Sequence, residues 1–130
     1  MSEVRVIRAG QLSADTSQSE GMHRRAAVSA ELVGARGLWM GETRVAPSTA
    51  GQPHHHGQSE TGIYVVSGTP TFSFRDEHGE LVRLETHAGD YIYVPPHVPH
   101  IEENPSSDEE AVVVIARTTQ DAIVVNLSVL

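Results

Sequence analysis

Residues 89–104 read GDYIYVPPHVPHIEEN. Tyr91–Val94 is a run of aromatic and β-branched residues, opened by Gly89 and closed by Pro95-Pro96. A run this short, bounded by turn residues, is a strand rather than a helix. Pro95, Pro96 and Pro99 then fix the backbone around His97 and His100. A second strand follows over Val98–Glu102, and the polar stretch Asn104–Asp108 ends it.

The same pattern runs outward in both directions. Short runs rich in Val, Ile, Tyr and Phe recur at Val4–Arg8, Ala27–Val33, Leu38–Val45, Ile63–Ser67, Thr71–Arg75, Leu81–Thr86, Val112–Arg117 and Ile123–Val129. Gly34–Gly37 and Asp76–Gly79 are turns, the second a hairpin loop whose Gly79 suits a positive φ. No helical period is sustained, and Ser19–Arg25 offers at most a single turn of helix. Ten short strands in 130 residues predict an all-β sandwich or barrel with under about one-tenth helix. The polar first stretch, 1–25, reads as an arm, and 26–130 as one domain.

Composition narrows the function. Nine Lys and Arg against 17 Asp and Glu give a formal net charge of −8. A nucleic-acid partner or an anionic membrane surface needs a basic face, so neither is expected. The sequence has no apolar run long enough to span a bilayer and no leading apolar stretch of a signal peptide, so a cytoplasmic location is expected. With no cysteine, any metal must be held by nitrogen and oxygen.

Eight histidines stand at 23, 54, 55, 56, 78, 87, 97 and 100. Residues 53–57 read PHHHG, an internal position that does not fit a purification tag. In an extended chain, residues i and i+2 share a face. His54 and His56 therefore point to one side and His55 to the other. A third ligand has to come from elsewhere, and the proline-framed stretch around His97 and His100 offers it.

Together the two stretches resemble the motifs of the cupin superfamily. The first motif there carries His-x-His, a Glu three or four residues on, and a Gly six residues beyond. His54, His56, a nearby Glu60 and Gly68 correspond to it here. The second motif runs Gly, five residues, Pro-x-Gly, two residues, His, three residues, Asn. Gly89, Pro95, His100 and Asn104 fall in register with it. The resemblance implies a jelly-roll barrel and a metal on His54, His56, Glu60 and His100. Two departures stand out. His97 occupies the Gly position of Pro-x-Gly, where a histidine tolerates positive φ better than most residues. Seven residues, not six, separate Glu60 from Gly68, so counting back from Gly68 puts Thr61 in the Glu position. A bulge at Thr61–Gly62 would restore Glu60, and Gln58 is a third candidate.

Such a ligand set suits one divalent transition metal per chain, Fe, Mn, Ni, Co or Zn. The barrel interior is expected to draw on Trp39 or Met40, Tyr64, Val66, Phe72, Phe74, Ile92, Val94, Ile101, Val113 and Ile115, with Tyr64, Tyr91 and Tyr93 as hydroxyl donors. The resemblance implies a small-molecule substrate and, as the commonest chemistry, O₂-dependent oxidation of the dioxygenase kind. Isomerases, lyases, polyketide cyclases and non-catalytic binding proteins share the fold. It also implies a homodimer in which an N-terminal strand, Val4–Arg8, is lent to the partner.

Overall fold

A computed structural model describes residues 3–130. The strands are β1 Met22–Val28, β2 Trp39–Val45, β3 Thr49–Ala50, β4 His54–His55, β5 Thr61–Ser67, β6 Thr71–Arg75, β7 Leu81–Glu85, β8 Tyr91–Val94, β9 His100–Asn104, β10 Ala111–Arg117 and β11 Val125–Asn126. Helix is confined, among the described residues, to a 3₁₀ turn at Ala9–Gln11 and one turn of α-helix, α1, at Ala30–Val33. No helix among them is long and apolar enough to cross a membrane.

The strands form two antiparallel sheets, one ordered β1-β2-β10-β5-β8 and the other β11-β4-β9-β6-β7, with β3 also on β9. Chain neighbours such as β4 and β5 lie in different sheets, which closes the chain into a jelly-roll barrel. Alternation decides what lies between the sheets. Along β5, Thr61, Ile63 and Val65 are buried and Gly62 and Tyr64 are less so. Ile63, Val65, Phe72, Val94 and Val113 make the main core, with Ile92 and Ile115 packed against it. Each such side chain contributes roughly 1.5–3 kcal/mol when fully buried. A smaller cluster, Met22, Val45 and Ala111, fills the space beside it.

The hairpin of β6 and β7 forms where the sequence predicts it. Asp76 Oδ1 accepts from the N–H groups of His78 and Glu80, and Gly79 takes φ +77°. Elsewhere the structure redraws the expected elements. Val4–Arg8 is not a strand in the single chain, and Val4 is fully exposed. The expected strand Ala27–Val33 is split. β1 starts earlier, at Met22, so the boundary expected after residue 25 falls inside a strand. Its second half turns into α1, because the Ser29 side chain accepts from the Leu32 N–H and Gly34 closes the turn at φ +71°. Ile123–Val129 pairs only at Val125 and Asn126, since its partner β4 is itself two residues long. Tyr64 and Val66 lie on the outer side of β5, Val66 being 46% exposed, so neither lines the interior.

Candidate metal centre

β4 and β9 bring the histidines together. His54 is the direct partner of His100 across the ladder. His56 follows His54 on the same side, just before the turn at Gly57. The ring centroids lie 4.8 Å apart for His54–His56, 4.5 Å for His54–His100 and 5.1 Å for His56–His100. One nitrogen from each ring falls within 4.8 Å of the others. Metal–imidazole bonds of about 2.0–2.1 Å require nitrogens on adjacent positions roughly 3 Å apart, so the rings need only a modest inward shift.

The backbone sets the tautomers. Nδ1 of His54 lies 2.7 Å from the Gln52 carbonyl, Nδ1 of His56 lies 2.8 Å from that of Ile123, and Nδ1 of His100 lies 3.0 Å from that of Val98. A carbonyl only accepts, so each Nδ1 carries the proton and donates it. Each Nε2 is then left with a lone pair, the form in which imidazole binds a metal. Burial lowers the pKa of all three rings and pulls that of His100 down to about 4. They are neutral at pH 7, with no proton to displace.

His55 faces away. Its Nδ1 accepts from the Gly57 N–H at 3.0 Å, and its ring sits 6.0 Å from that of His97. His97 takes φ +62°, filling a turn position that glycine usually occupies, and its N–H donates to the Gly57 carbonyl. It thus ties the loop after β8 to the turn after His56.

Glu60 is not brought to the three histidines. It is exposed, and its Oε2 accepts from the Tyr93 hydroxyl, likewise exposed. The register explains this. Thr61 and Ile63 point inward, so Glu60 points out, and no bulge at Thr61–Gly62 reverses it. The irregularity in the β5–β10 ladder lies instead between Val65 and Ser67, opposite Val112 and Val113. Thr61 occupies the inward position, buried and lining the cavity, while Gln58 is exposed.

The histidines form part of the wall of a cavity of about 520 Å³. Ser59, Thr61, Ile63, Trp39 and Ile115 also line it, as do Arg24, Arg117 and Glu102, which were not among the expected site residues. All three follow from the alternation rule. Glu102 is two residues past His100 on β9, Arg117 two past Ile115 on β10, and Arg24 two past Met22 on β1. Glu102 is only partly buried as a residue, but its Oε1 is shut off from solvent and has no hydrogen-bond partner. Burial, opposed by Arg24, raises its pKa to about 7. Gly41 makes room for Trp39. A Cβ there would stand 2.5 Å from the indole and 2.5 Å from the Arg25 carbonyl.

Residues 41–116 match the family model described as Cupin domain, more than half of the chain. The chain therefore belongs to the cupin family. No curated protein matches it. Among solved structures it is similar to a recombinant oxalate oxidase in complex with glycolate, at 22% identity and a TM-score of 0.71 over 88% of this chain and 59% of that one. It is similar to an oxalate decarboxylase at 24% identity and a TM-score of 0.72, over 85% of this chain but 29% of that one. Peruvianin-I, a cysteine peptidase from Thevetia peruviana latex, shares the fold at a TM-score of 0.75 and 15% identity, over 96% of this chain and 78% of that one. At such identities the likeness is one of fold. The peptidase makes the point, because this chain has no cysteine at all.

Proposed function

We propose that the chain is a metal-dependent enzyme acting on a small organic molecule inside the barrel, and that its chemistry is O₂-dependent oxidation of the dioxygenase kind. One observation carries the reading: three inward Nε2 lone pairs converge on one wall of the cavity, each fixed by a backbone carbonyl behind it. Three neutral imidazoles suit Fe, Mn, Ni, Co or Zn in the divalent state. The oxalate oxidase and decarboxylase similar in fold, the latter with Mn(II) centres in Bacillus subtilis, support a redox-capable metal on this scaffold.

The metal, when bound, supplies open coordination positions for activating substrate and oxygen. The chain supplies the rest. Backbone carbonyls hold the imidazoles in one tautomer and orientation. Trp39, Ile63 and Ile115 exclude water from one side of the substrate. Glu102, kept near neutrality by burial, can donate or take a proton at its carboxyl. The proposed unit is a cytoplasmic homodimer, with the exposed Val4–Arg8 segment as the exchanged strand, and light scattering of the purified protein tests the dimer.

Elemental analysis of untagged protein, followed by oxygen uptake with candidate substrates, tests the function. Iron or manganese with substrate-dependent uptake is expected. Bound metal without turnover of any substrate would make the chain a binding protein instead.

A further inference from the structure

In a chain of formal net charge −8, two arginines line this one cavity. Among the described residues, the ion pairs involve Arg25, Arg44 and His78, and neither Arg24 nor Arg117 has a carboxylate partner. Guanidinium groups taken partly out of water normally pair. Arg117 is already committed. Its Nε donates to the Thr119 carbonyl at 3.0 Å, its Nη2 donates to that of Gln120 at 2.8 Å, and its Cζ lies 4.0 Å from the Trp39 ring centroid. Arg24 is not committed in this way. Its Nη1 donates to Ser19 Oγ at 2.8 Å, while its Nη2 has only the Met22 sulfur at 3.6 Å, a weak acceptor. A guanidinium has five N–H donors, so most of those on Arg24 are free.

Neither acidic group lining the cavity makes an ion pair with Arg24, although Glu102 feels its charge. Glu20 is exposed, and Glu102 forms no ion pair with Arg24 and leaves its Oε1 without a partner. Arg24 lines the same cavity as His54, His56 and His100. An unpaired arginine fork beside three convergent imidazoles, in a cavity with an apolar wall, matches a ligand with an anionic end and an apolar body.

We propose that the substrate is a small organic carboxylate, held through its carboxylate by Arg24, with its body against Trp39, Ile63 and Ile115 and its reacting end at the histidines. This rests on the metal-centre reading above and adds the class of substrate. Arg117 contributes a second positive charge without itself gripping the ligand.

Trp39 is the only tryptophan in the chain, so its fluorescence reports on the cavity. The test is titration with benzoate and hexanoate, and with their uncharged amides, in metal-loaded wild type, Arg24→Gln, Arg24→Lys and the double variant His54→Ala/His100→Ala. At least one acid should bind saturably, and its amide about tenfold more weakly or worse. Arg24→Gln should weaken the acid about tenfold or more with metal content unchanged. Arg24→Lys, which keeps the charge but loses the fork, should fall between. The double variant should still bind the acid more tightly than its amide. If Arg24→Gln and wild type bind the acid equally, if the amide binds as well as the acid, or if neither acid binds, the carboxylate anchor is wrong. Acid binding that vanishes in the double variant but survives Arg24→Gln would place the carboxylate on the metal, overturning the anchor while leaving the metal centre intact. Arg24-dependent acid binding by a wild type that takes up no metal would keep the anchor and remove the metal centre.

Discussion

His54 and His100 are direct partners across the β4–β9 ladder, and their rings meet at 4.5 Å. One Cα register thus sets two of the three imidazoles. The third, His56, follows by extended-chain alternation. A one-residue slip of β4 would turn His55 inward and take both other imidazoles of that stretch out of the cavity.

Burial of His100 makes metal-free protein sensitive to acid. Its folded pKa of about 4 lies below the ordinary 6.5, so the unfolded chain protonates first as the pH falls. The stabilisation is fully present above about pH 6.5 and is lost progressively toward pH 4, amounting to roughly 3 kcal/mol. Urea unfolding of EDTA-treated protein at pH 7 and pH 4.5 should show a smaller acid loss in His100→Asn than in wild type. Equal losses would contradict the buried neutral imidazole.

Glu102 acts in the opposite direction. Its folded pKa of about 7 lies above the ordinary 4.5, so its contribution is intact below pH 4.5 and is lost as the pH rises through 7. In metal-free protein the two effects oppose each other between pH 4.5 and 6.5, flattening the wild-type profile. Glu102→Gln should therefore melt higher than wild type at pH 8, with the difference disappearing near pH 4.5. An advantage that does not change with pH would show that the Glu102 carboxyl is not raised above its ordinary range in the folded protein.

Glu60 and Tyr93 give a sharp negative prediction. Their hydrogen bond lies on the outer side of the barrel and both residues are exposed. Glu60→Gln should leave metal affinity unchanged and change stability little, because the pair is exposed to solvent. A large loss of metal affinity, measured by chelator competition, would bring Glu60 back as a ligand.

Gly68 should not tolerate a side chain. Its φ is +83°, and a Cβ there would stand 2.7 Å from the Ala111 Cα. Gly68→Ala should cost about 1–3 kcal/mol, from strained backbone and overpacking against β10. Denaturation of the variant measures this, and a neutral result would mean that the close approach relaxes freely.

Much of this was legible in the sequence because strand alternation and turn chemistry are local. Thr71–Arg75 and Tyr91–Val94 were bounded by residues whose effect on the backbone needs no tertiary knowledge, and both strands have the expected limits. Ser29 and Gly34 were equally local signals of a helix turn, hidden by the β-branched residues around them. The position of Glu60 could not be settled locally, since two counts disagreed by one residue and only the ladder with β10 shows where the irregularity falls. Arg24 and Arg117 are placed beside the histidines by sheet order, and pairing between residues far apart in the chain is not written in either motif.

The metal content of untagged wild type and of the four single variants His54→Ala, His55→Ala, His56→Ala and His100→Ala, measured by elemental analysis after metal loading, tests the central claim most directly. One divalent metal per chain is predicted for wild type and His55→Ala, and near-complete loss for the other three. Loss of metal from His55→Ala as complete as from His54→Ala, or retention of full occupancy by His100→Ala, would contradict a centre built on His54, His56 and His100.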